Sequence, residues 1–425
     1  MVKILILGGG FGGIRCALDL EKKLLNSRID FEITLVDRNG YHLFAPSIYE
    51  VASAFGIKRD PFAIQLKKTV CIPYADIFSA KGGGGVNFIE AEISSIDLVN
   101  REVTTQGGHN LAYDYLVFGI GGETTDFNIP GVRDYAQQFK NLEDALFINQ
   151  KLDKLTEGLI EGSRTDPFSF LICGGGFTGV ELAAELGCCT QVIKERCHLL
   201  RGRCSNITLF EAGPKILPMI TDRERVIIKK RLTKLGIVIM ENSPIEEVGF
   251  NSIKLKNGRK LEGDLIIWTA GIKPNRFLSQ VTGLTLAPSG RVAVDEELRI
   301  KGLENVFAIG DNIEFIDPKI QKPVPAMAYV AVDQGKIAAK NISELIKTKQ
   351  SQPKLKKYNP FYGVWVVPVG GKYAVAHLTN SIVIKGFMGW LVRAAVDIRY
   401  FMSILPIRKA LKLYWEEITV FIKND

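Results

Sequence analysis

FLICGGGFTGVE (Phe170–Glu181) lies well inside the chain, and a near copy, ILILGGGFGGIR (Ile4–Arg15), opens it. Each is an apolar run followed by G-x-G-x-x-G. The run reads as a buried strand, and the glycines turn the chain into the start of a helix. Gly8, Gly10 and Gly13 form the first set, with Phe11 and Gly12 inside it; Gly174, Gly176 and Gly179 form the second, with Phe177 and Thr178 inside it. In such a turn the first glycine bends the chain, the second lets backbone approach a pyrophosphate, and the third lets helix and strand pack. The helix start then offers free N–H groups and a partial positive charge to the phosphates. Each copy also has an acid at the tip of the next apolar run: Asp37 in FEITLVDR and Glu211 in NITLFEAG. A carboxylate there accepts the hydroxyls of an adenosine ribose. Glu211 also repels a 2′-phosphate, so the second site is expected to prefer NADH to NADPH. Glu211 lies 32 residues past Gly179, beyond the usual ~20, so the segment around CCTQVIKERCHLLRGRC must be extended.

A third signal, NVFAIGD (Asn305–Asp311), is an apolar strand ending in Gly310-Asp311. It resembles the second flavin motif of flavoproteins with two dinucleotide domains, in which the Asp holds the ribityl chain of FAD. In that superfamily the N-terminal unit takes FAD and the inserted one takes NAD(P)H, an order this chain follows over about residues 1–350. The resemblance implies one site for FAD and one for NADH, with hydride passing from nicotinamide to flavin. The cofactors carry that chemistry and the protein orients them.

The chain has 425 residues, a net charge of +8, and ordinary hydrophobic and charged fractions for a globular protein. No zinc-finger, helix-turn-helix or RNP pattern is present, so a nucleic-acid partner is not expected. The seven cysteines lack a framework spacing and read as reduced thiols of a cytoplasmic compartment. No metal site is expected. The opening run is a strand and turn rather than a signal peptide, and no apolar stretch is long enough to span a membrane.

The expected fold class is α/β: two Rossmann-like dinucleotide-binding domains of the glutathione reductase-like kind, plus C-terminal membrane-anchoring amphipathic helices. Residues 1–122 and 286–350 are assigned to a discontinuous FAD domain, 123–285 to an NADH domain and 351–425 to a membrane-association domain. YDYLVFGIGG closes the first lobe, and WTAGI (Trp268–Ile272) carries the chain back over the nicotinamide site. KGGGGV (Lys81–Val86) reads as a surface loop, and TKQSQPKLKKYNP as a linker.

In the tail, YGVWVVPVGGKYAVAHL reads as a hairpin or two short strands, followed by two helices separated by Pro406. Phe387, Trp390, Leu391, Ala394, Ile398, Phe401, Met402 and Leu405 share one face of the first helix; Leu411, Tyr414, Trp415, Ile418, Phe421 and Ile422 share one of the second. Lys385, Arg393, Arg399, Arg408, Lys409 and Lys412 lie among them. Such a tail fits an interfacial anchor, its cations meeting anionic headgroups at roughly 1 kcal/mol each. The alternative is a docked domain or a dimer interface.

Taken together, GGGFGG, NGYHLFAPSIYEVASA, Lys140–Ala145, GFTGVE, FEAGPKILP, WTAGI, VFAIGD and GFMGW resemble the type II NADH dehydrogenases, single-subunit NADH:quinone oxidoreductases that do not pump protons. The resemblance covers nearly the whole chain. It implies bound FAD, NADH as substrate, a membrane quinone as acceptor, a peripheral position on the cytoplasmic face of the membrane, an anionic lipid surface as partner, and often a homodimer. It places Gly8–Gly13, Asp37, Arg38, Gly310, Asp311, Ala331 and Lys385 at the FAD, and Gly176–Gly179, Glu211 and Gly271 at NADH. Glu181 matches the acid beside the flavin that tunes nicotinamide binding and proton delivery to quinone. One departure stands out. Where the family carries A-Q-x-A-x-Q-Q, this chain has Ala328-Tyr329-Val330-Ala331-Val332-Asp333-Gln334. On the quinone side, Tyr329 and Asp333 replace two amides; a tyrosine hydroxyl can donate to a quinone carbonyl and an ionised Asp cannot. A soluble NADH:acceptor reductase is the main competing reading, with this altered run as its support. A sulfide:quinone oxidoreductase requires a redox cysteine pair, and the last cysteine here is Cys204.

Overall fold

The computed structural model describes residues 1–25, 27–54, 67–78, 85–196, 204–348, 353–379 and 382–424, with backbone alone at 192–196 and 419–424. Most of the KGGGGV turn and part of the 348–360 linker lie outside the described residues.

Two parallel five-stranded sheets organise the chain. The first has β1 (Val2–Leu7) at its centre, flanked by β2 (Phe31–Asp37) and β3 (Val86–Glu90) on one side and by β4 (Tyr115–Phe118) and β9 (Val306–Ala308) on the other. The second repeats the pattern: β5 (Phe168–Cys173) is central, flanked by β6 (Ser205–Phe210) and β7 (Val238–Met240), and by β8 (Leu265–Trp268) and the two-residue strand Gln137–Gln138. Every pairing in both sheets is parallel. Strands covered on both faces become continuous apolar runs, as ILIL and FLIC are.

The registers are equivalent. Leu7 pairs with Val36, and Cys173 with Phe210, so in each lobe the acid follows one residue after the last paired position and lies beside the glycine turn. Each turn opens a helix, α1 (Phe11–Leu24) or α4 (Phe177–Arg196). The 20 residues of α4 account for most of the long interval before Glu211.

The chain leaves the first lobe along Gly122–Thr124 and returns along Ile272–Pro274, and these two segments pair antiparallel. The return comes earlier than the pattern suggested: Leu278 and Val281 already belong to the first core. Asn275, whose side chain accepts the Phe277 N–H, caps the short helix Arg276–Gln280 at that point. Strand β9 then completes the first sheet, and α6 (Ala328–Lys347) packs on α1, where Gly335 leaves room for the Gly12 carbonyl.

The tail has three antiparallel strands, β10 (Trp365–Pro368), β11 (Ala374–Thr379) and β12 (Ile382–Gly386), followed by α7 (Phe387–Ile404) and α8 (Ile407–Asn424). It packs on both lobes: Phe401, Ile404, Leu405 and Ala410 enter the first core, and Val367, Val369 and Val375 the second. Arg231 of α5 (Asp222–Lys234) donates to the Val369 and Gly370 carbonyls at 3.1 and 3.0 Å. The face assigned to lipid is therefore divided. Trp390, Ala394, Phe401 and Leu405 are buried in protein, while Phe387, Leu391 and Met402 are exposed together with Met388, Val396 and Ile407. On α8, Leu411 and Trp415 are exposed, and the side chains of Phe421 and Ile422 lie outside the described residues. Among the described residues no helix is long and apolar enough to cross a membrane.

Candidate active site

The two glycine turns are built alike. Asp37 accepts the Gly9 N–H at 2.7 Å and the Asn39 N–H at 2.9 Å. Glu211 accepts the Gly175 N–H at 3.0 Å and the Gly213 N–H at 2.7 Å. Each acid is thus tied to the residue between the first two glycines, with lone pairs remaining for sugar hydroxyls. Gly8 and Gly174 take positive φ angles of 97° and 127°. A Cβ on Gly13 would lie 1.9 Å from the Gly8 carbonyl oxygen, and one on Gly179 would lie 1.9 Å from that of Gly174. A Cβ on Gly10 or Gly176 would meet nothing within 4 Å. No side chain caps α1 at Gly10. Its free N–H groups face open room, as a helix start that binds a pyrophosphate requires.

Asp311 and Lys140 complete the first site. Burial pushes the Asp311 carboxyl up, opposed first by Lys140 and then by Arg291. Burial pushes the Lys140 ammonium down, opposed by Asp311 and Glu123 and assisted by Arg38. Two cations and a buried acid suit a pyrophosphate and a polyhydroxyl chain. The Gly310 N–H is held by the Gln334 side chain of α6 at 2.6 Å, and the Gly310 turn lies against Ala331.

The tail reaches the first loop directly. Tyr74 donates to the Gly9 carbonyl at 2.8 Å, and His42 Nδ1 lies 3.1 Å from the same oxygen. A carbonyl only accepts, so Nδ1 carries the proton and Nε2 accepts from the Tyr400 hydroxyl of α7 at 2.8 Å. Burial holds His42 down at about 4, so the ring is neutral at physiological pH. Phe11 packs edge-on to His42, and Phe44 stacks on Tyr400. Tyr400→Phe leaves Nε2 without its donor, at a cost of ~1–3 kcal/mol. FAD affinity is expected to fall several-fold in fluorescence titrations of apoprotein, and unchanged affinity would separate the tail from the loop.

Glu181 lies in α4, two residues past Gly179 of the second loop. Its carboxylate makes no hydrogen bond to a described residue. Burial pushes the carboxyl up to about 8, with Arg393 opposing and Asp397 adding. A surface cavity of about 400 Å³ adjoins Glu211 and is lined by Gly213, Pro214, Lys215, Thr221 and Arg225 among others. Among the described residues no group of His, Cys, Asp and Glu suits a metal ion.

The sequence profile of the pyridine nucleotide-disulphide oxidoreductase family matches residues 2–335. Over 352 residues the chain is 30% identical to the type II NADH:quinone oxidoreductase of Staphylococcus saprophyticus, covering 81% of this chain and 83% of the relative. Over 379 residues it is 31% identical to the same enzyme of Haemophilus influenzae, covering 82% of each. This chain belongs to the type II NADH:quinone oxidoreductases. The enzyme oxidises NADH and reduces a quinone, with FAD as its cofactor. The structure of NDH2 from Plasmodium falciparum in complex with NADH shares the fold, at a TM-score of 0.79 and 20% identity over 99% of this chain and 98% of that one.

In this oxidoreductase the loop glycines, Asp37, Asp311, Ala331 and the Gly310 turn cluster around the α1 start and the end of β9. Arg38 is electrostatically linked to them through Lys140. Phe177, Thr178, Gly179 and Glu211 gather at the second loop. Gly271 follows Ala270, whose backbone lies against Gly174 of the second loop. A Cβ on Gly271 would strike Thr125 and Phe127 at 2.5 Å, so this glycine serves the close approach of the crossing strands. Lys385 is exposed on β12 and lines a surface cavity of about 530 Å³ with Asp222, Arg223 and Val383, because strand alternation turns it toward α5. Tyr329 is half-buried, and Asp333 is paired with Lys336 at 2.8 Å. Sequence reasoning assigned no role to His42, Tyr74, Lys140, Gln334 or Tyr400. His42 and Lys140 fall within NGYHLFAPSIYEVASA and the Lys140–Ala145 run, which were the available signal.

Proposed function

We propose that FAD is held at the first glycine loop by Asp37, Arg38, Lys140 and Asp311, that NADH enters at the second by Glu211, and that quinone arrives from a membrane face formed by α7 and α8. The observation that carries this reading is the duplicated turn, with each acid bonded to its own loop. When bound, FAD accepts a hydride from NADH and supplies two electrons to the quinone. The chain's own residues do the rest. The loop N–H groups fix the pyrophosphates, and the glycines at the third positions keep each helix against its strand. The net reaction, NADH + H⁺ + quinone → NAD⁺ + quinol, consumes one proton. Glu181, neutral at pH 7 because burial raises it to about 8, is the proposed donor to the quinone oxygen. Burial and Asp333 push the Tyr329 hydroxyl up, so it stays protonated and can donate to a carbonyl. Asp333 is occupied by Lys336.

Glu211→Gln keeps an acceptor for the loop N–H groups and removes the charge that repels a 2′-phosphate. The ratio of kcat/KM for NADPH to that for NADH is expected to rise about tenfold. An unchanged ratio in steady-state assays would remove Glu211 from cofactor choice.

The membrane face presents Ile407 and Trp415, 66% and 68% exposed, beside Met388, Leu391 and Leu411. Arg399, Arg408 and Lys412 are exposed on the same helices, whereas Arg393 is buried and Lys409 pairs with Asp76 at 2.6 Å. Vesicles containing anionic lipid should sediment the wild-type enzyme. The Ile407→Ser/Trp415→Ser double variant should lose most of that binding while keeping its flavin, and equal sedimentation of the two proteins would reject the face. The reading as a whole is tested by anaerobic flavin absorbance: bleaching by NADH and recovery on adding quinone in lipid. Bleaching without recovery would mean that quinone does not reach this site.

A further inference from the structure

The cavity of about 400 Å³ beside Glu211 is built into the second glycine turn. The chain leaves Glu211 through a loop, residues 213–220, that is pinned along its length. The Leu217 N–H donates to the Gly175 carbonyl at 2.8 Å, and the Gly175 N–H is the one held by Glu211. The Ile216 N–H donates to Glu241 at 2.9 Å. From α5, Arg225 donates to the carbonyls of Ile216, Leu217 and Ile220 at 2.7, 3.0 and 2.8 Å. The loop is therefore a fixed wall, and Glu211 shares one cavity with the start of α5. Four charged side chains line that cavity: the acids Glu211 and Asp222 and the cations Lys215 and Arg225. Asp222 takes both cations. Lys215 Nζ donates to Asp222 Oδ1 at 2.9 Å, and Arg225 donates to the same oxygen. Arg225 is buried and committed to the loop, whereas Lys215 is half-exposed on a flexible stem. Among the described residues that line the cavity, Lys215 is thus the cation free to turn toward a ligand, and Asp222 holds it. The start of α5 is closed to an anion as well: Thr221 accepts the Glu224 N–H, and the Glu224 carboxylate takes the Thr221 N–H and hydroxyl at 2.9 and 2.6 Å.

We propose that Asp222 is a second determinant of coenzyme choice: by holding Lys215 it leaves the cavity without a free cation, so that a ribose is admitted and a 2′-phosphate is refused. This rests on the reading of Glu211 as the acid that meets the ribose of NADH. Two acids and two cations cancel, so a 2′-phosphate, with a charge of about −2, finds no surplus of positive charge. Glu211 acts by repulsion, and Asp222 acts by withholding Lys215. Both act on one phosphate, so their effects are coupled rather than additive. With Glu211 still charged, a released Lys215 faces an acid as well as the phosphate. With both acids neutral, Lys215 and Arg225 leave the cavity positive, and Nζ can donate a charge-assisted hydrogen bond to a phosphate oxygen. The 2′-phosphate is remote from the nicotinamide, so the gain belongs to binding and lowers the KM for NADPH rather than raising kcat.

The test uses FAD-loaded enzyme and a short-chain quinone, with NADH and NADPH compared at low ionic strength, where exposed charges are least screened. Asp222→Asn alone should raise the NADPH-to-NADH ratio of kcat/KM about threefold, the weight of an exposed ion pair. Combined with Glu211→Gln it should raise the ratio about a hundredfold, beyond the product of the single changes. Adding Lys215→Met to that double variant should remove the extra gain. Adenosine 2′,5′-bisphosphate and 5′-AMP, as inhibitors competing with NADH, give a readout free of flavin chemistry: the bisphosphate should gain on 5′-AMP in the same order of variants. A merely structural role for Asp222 at the start of α5 would weaken both coenzymes alike and leave the ratio where it was. A double variant no better than the product overturns the proposal, as does a gain that survives Lys215→Met. Should the double variant fail to fold, Lys215→Met in otherwise wild-type enzyme decides. It should leave the ratio within about twofold, because Lys215 is already withheld, and a several-fold fall overturns the proposal. Glu211→Gln separates the two readings. If neither it nor the double variant moves the ratio, the placement of the ribose at Glu211 is wrong; if it moves the ratio and Asp222→Asn adds nothing, only the role of Asp222 fails.

Discussion

Gly13→Val is expected to yield enzyme with little or no flavin. The first carbon of any side chain at that position would stand 1.9 Å from the Gly8 carbonyl oxygen, far inside the ~3.5 Å of ordinary contact. Helix α1 must then move off β1, carrying its free N–H groups away from the pyrophosphate. Overpacking of this kind costs ~1–3 kcal/mol, which, drawn from binding, weakens FAD about 5- to 150-fold. The visible absorbance of the purified protein reports the outcome. Gly179→Val is the matched experiment, because its side chain would meet the Gly174 oxygen at the same 1.9 Å. That variant should keep its yellow colour and lose about a hundredfold in kcat/KM for NADH. Loss of flavin from both variants, or from neither, would contradict the division of labour between the loops.

Arg393→Met should destabilise the protein by ~3–5 kcal/mol, the range for removing one partner of a buried ion pair. The side chain ties α7 to Tyr49, Pro46, Ser47 and Asp397, and without it Asp397, Glu50 and Glu417 share a buried joint with no cation. The sign of the pH dependence follows. These acids are already raised in the fold, and loss of the guanidinium raises them further. Their stabilising protons are present at low pH and lost as pH rises, so the deficit of the variant should be larger above about pH 8 than near pH 6. Urea unfolding at both pH values measures it. Lys412→Met, at an exposed i,i+4 pair with Glu416, should change stability by less than ~0.5 kcal/mol. A deficit below ~1 kcal/mol for Arg393→Met would mean that protonation alone neutralises the joint.

The two glycine turns were legible because their geometry is local. A glycine turn, the helix it starts and the acid at the tip of the next strand are fixed by short-range sterics and by parallel pairing in a regular register. The duplicated G-x-G-x-x-G, Asp37, Glu211 and the Gly310-Asp311 turn therefore announced two lobes, and the chain order announced their interleaving. The break between the two C-terminal helices at Pro406 was equally local. The short helix Arg276–Gln280, capped by Asn275, already places Leu278 in the first core.

The tail shows where sequence stops. Its helices carry apolar residues around most of their circumference, and periodicity cannot tell which apolar side meets protein and which stays exposed. Packing decided that Trp390 and Phe401 go inward while Trp415 stays outside, and it turned Arg393 from an expected surface cation into the centre of a buried cluster. The bonds that matter most to that outcome, His42 to Tyr400 and Ser47 to Glu417, join residues 358 and 370 positions apart. The sequence by itself determined two dinucleotide turns, their acids and their order, because each is made within one strand–turn–helix unit. Only the tertiary structure decided that the C-terminal helices reach the first glycine loop and the Ile48–Ser53 helix, because burial and partnership of polar groups arise when distant segments exclude water together.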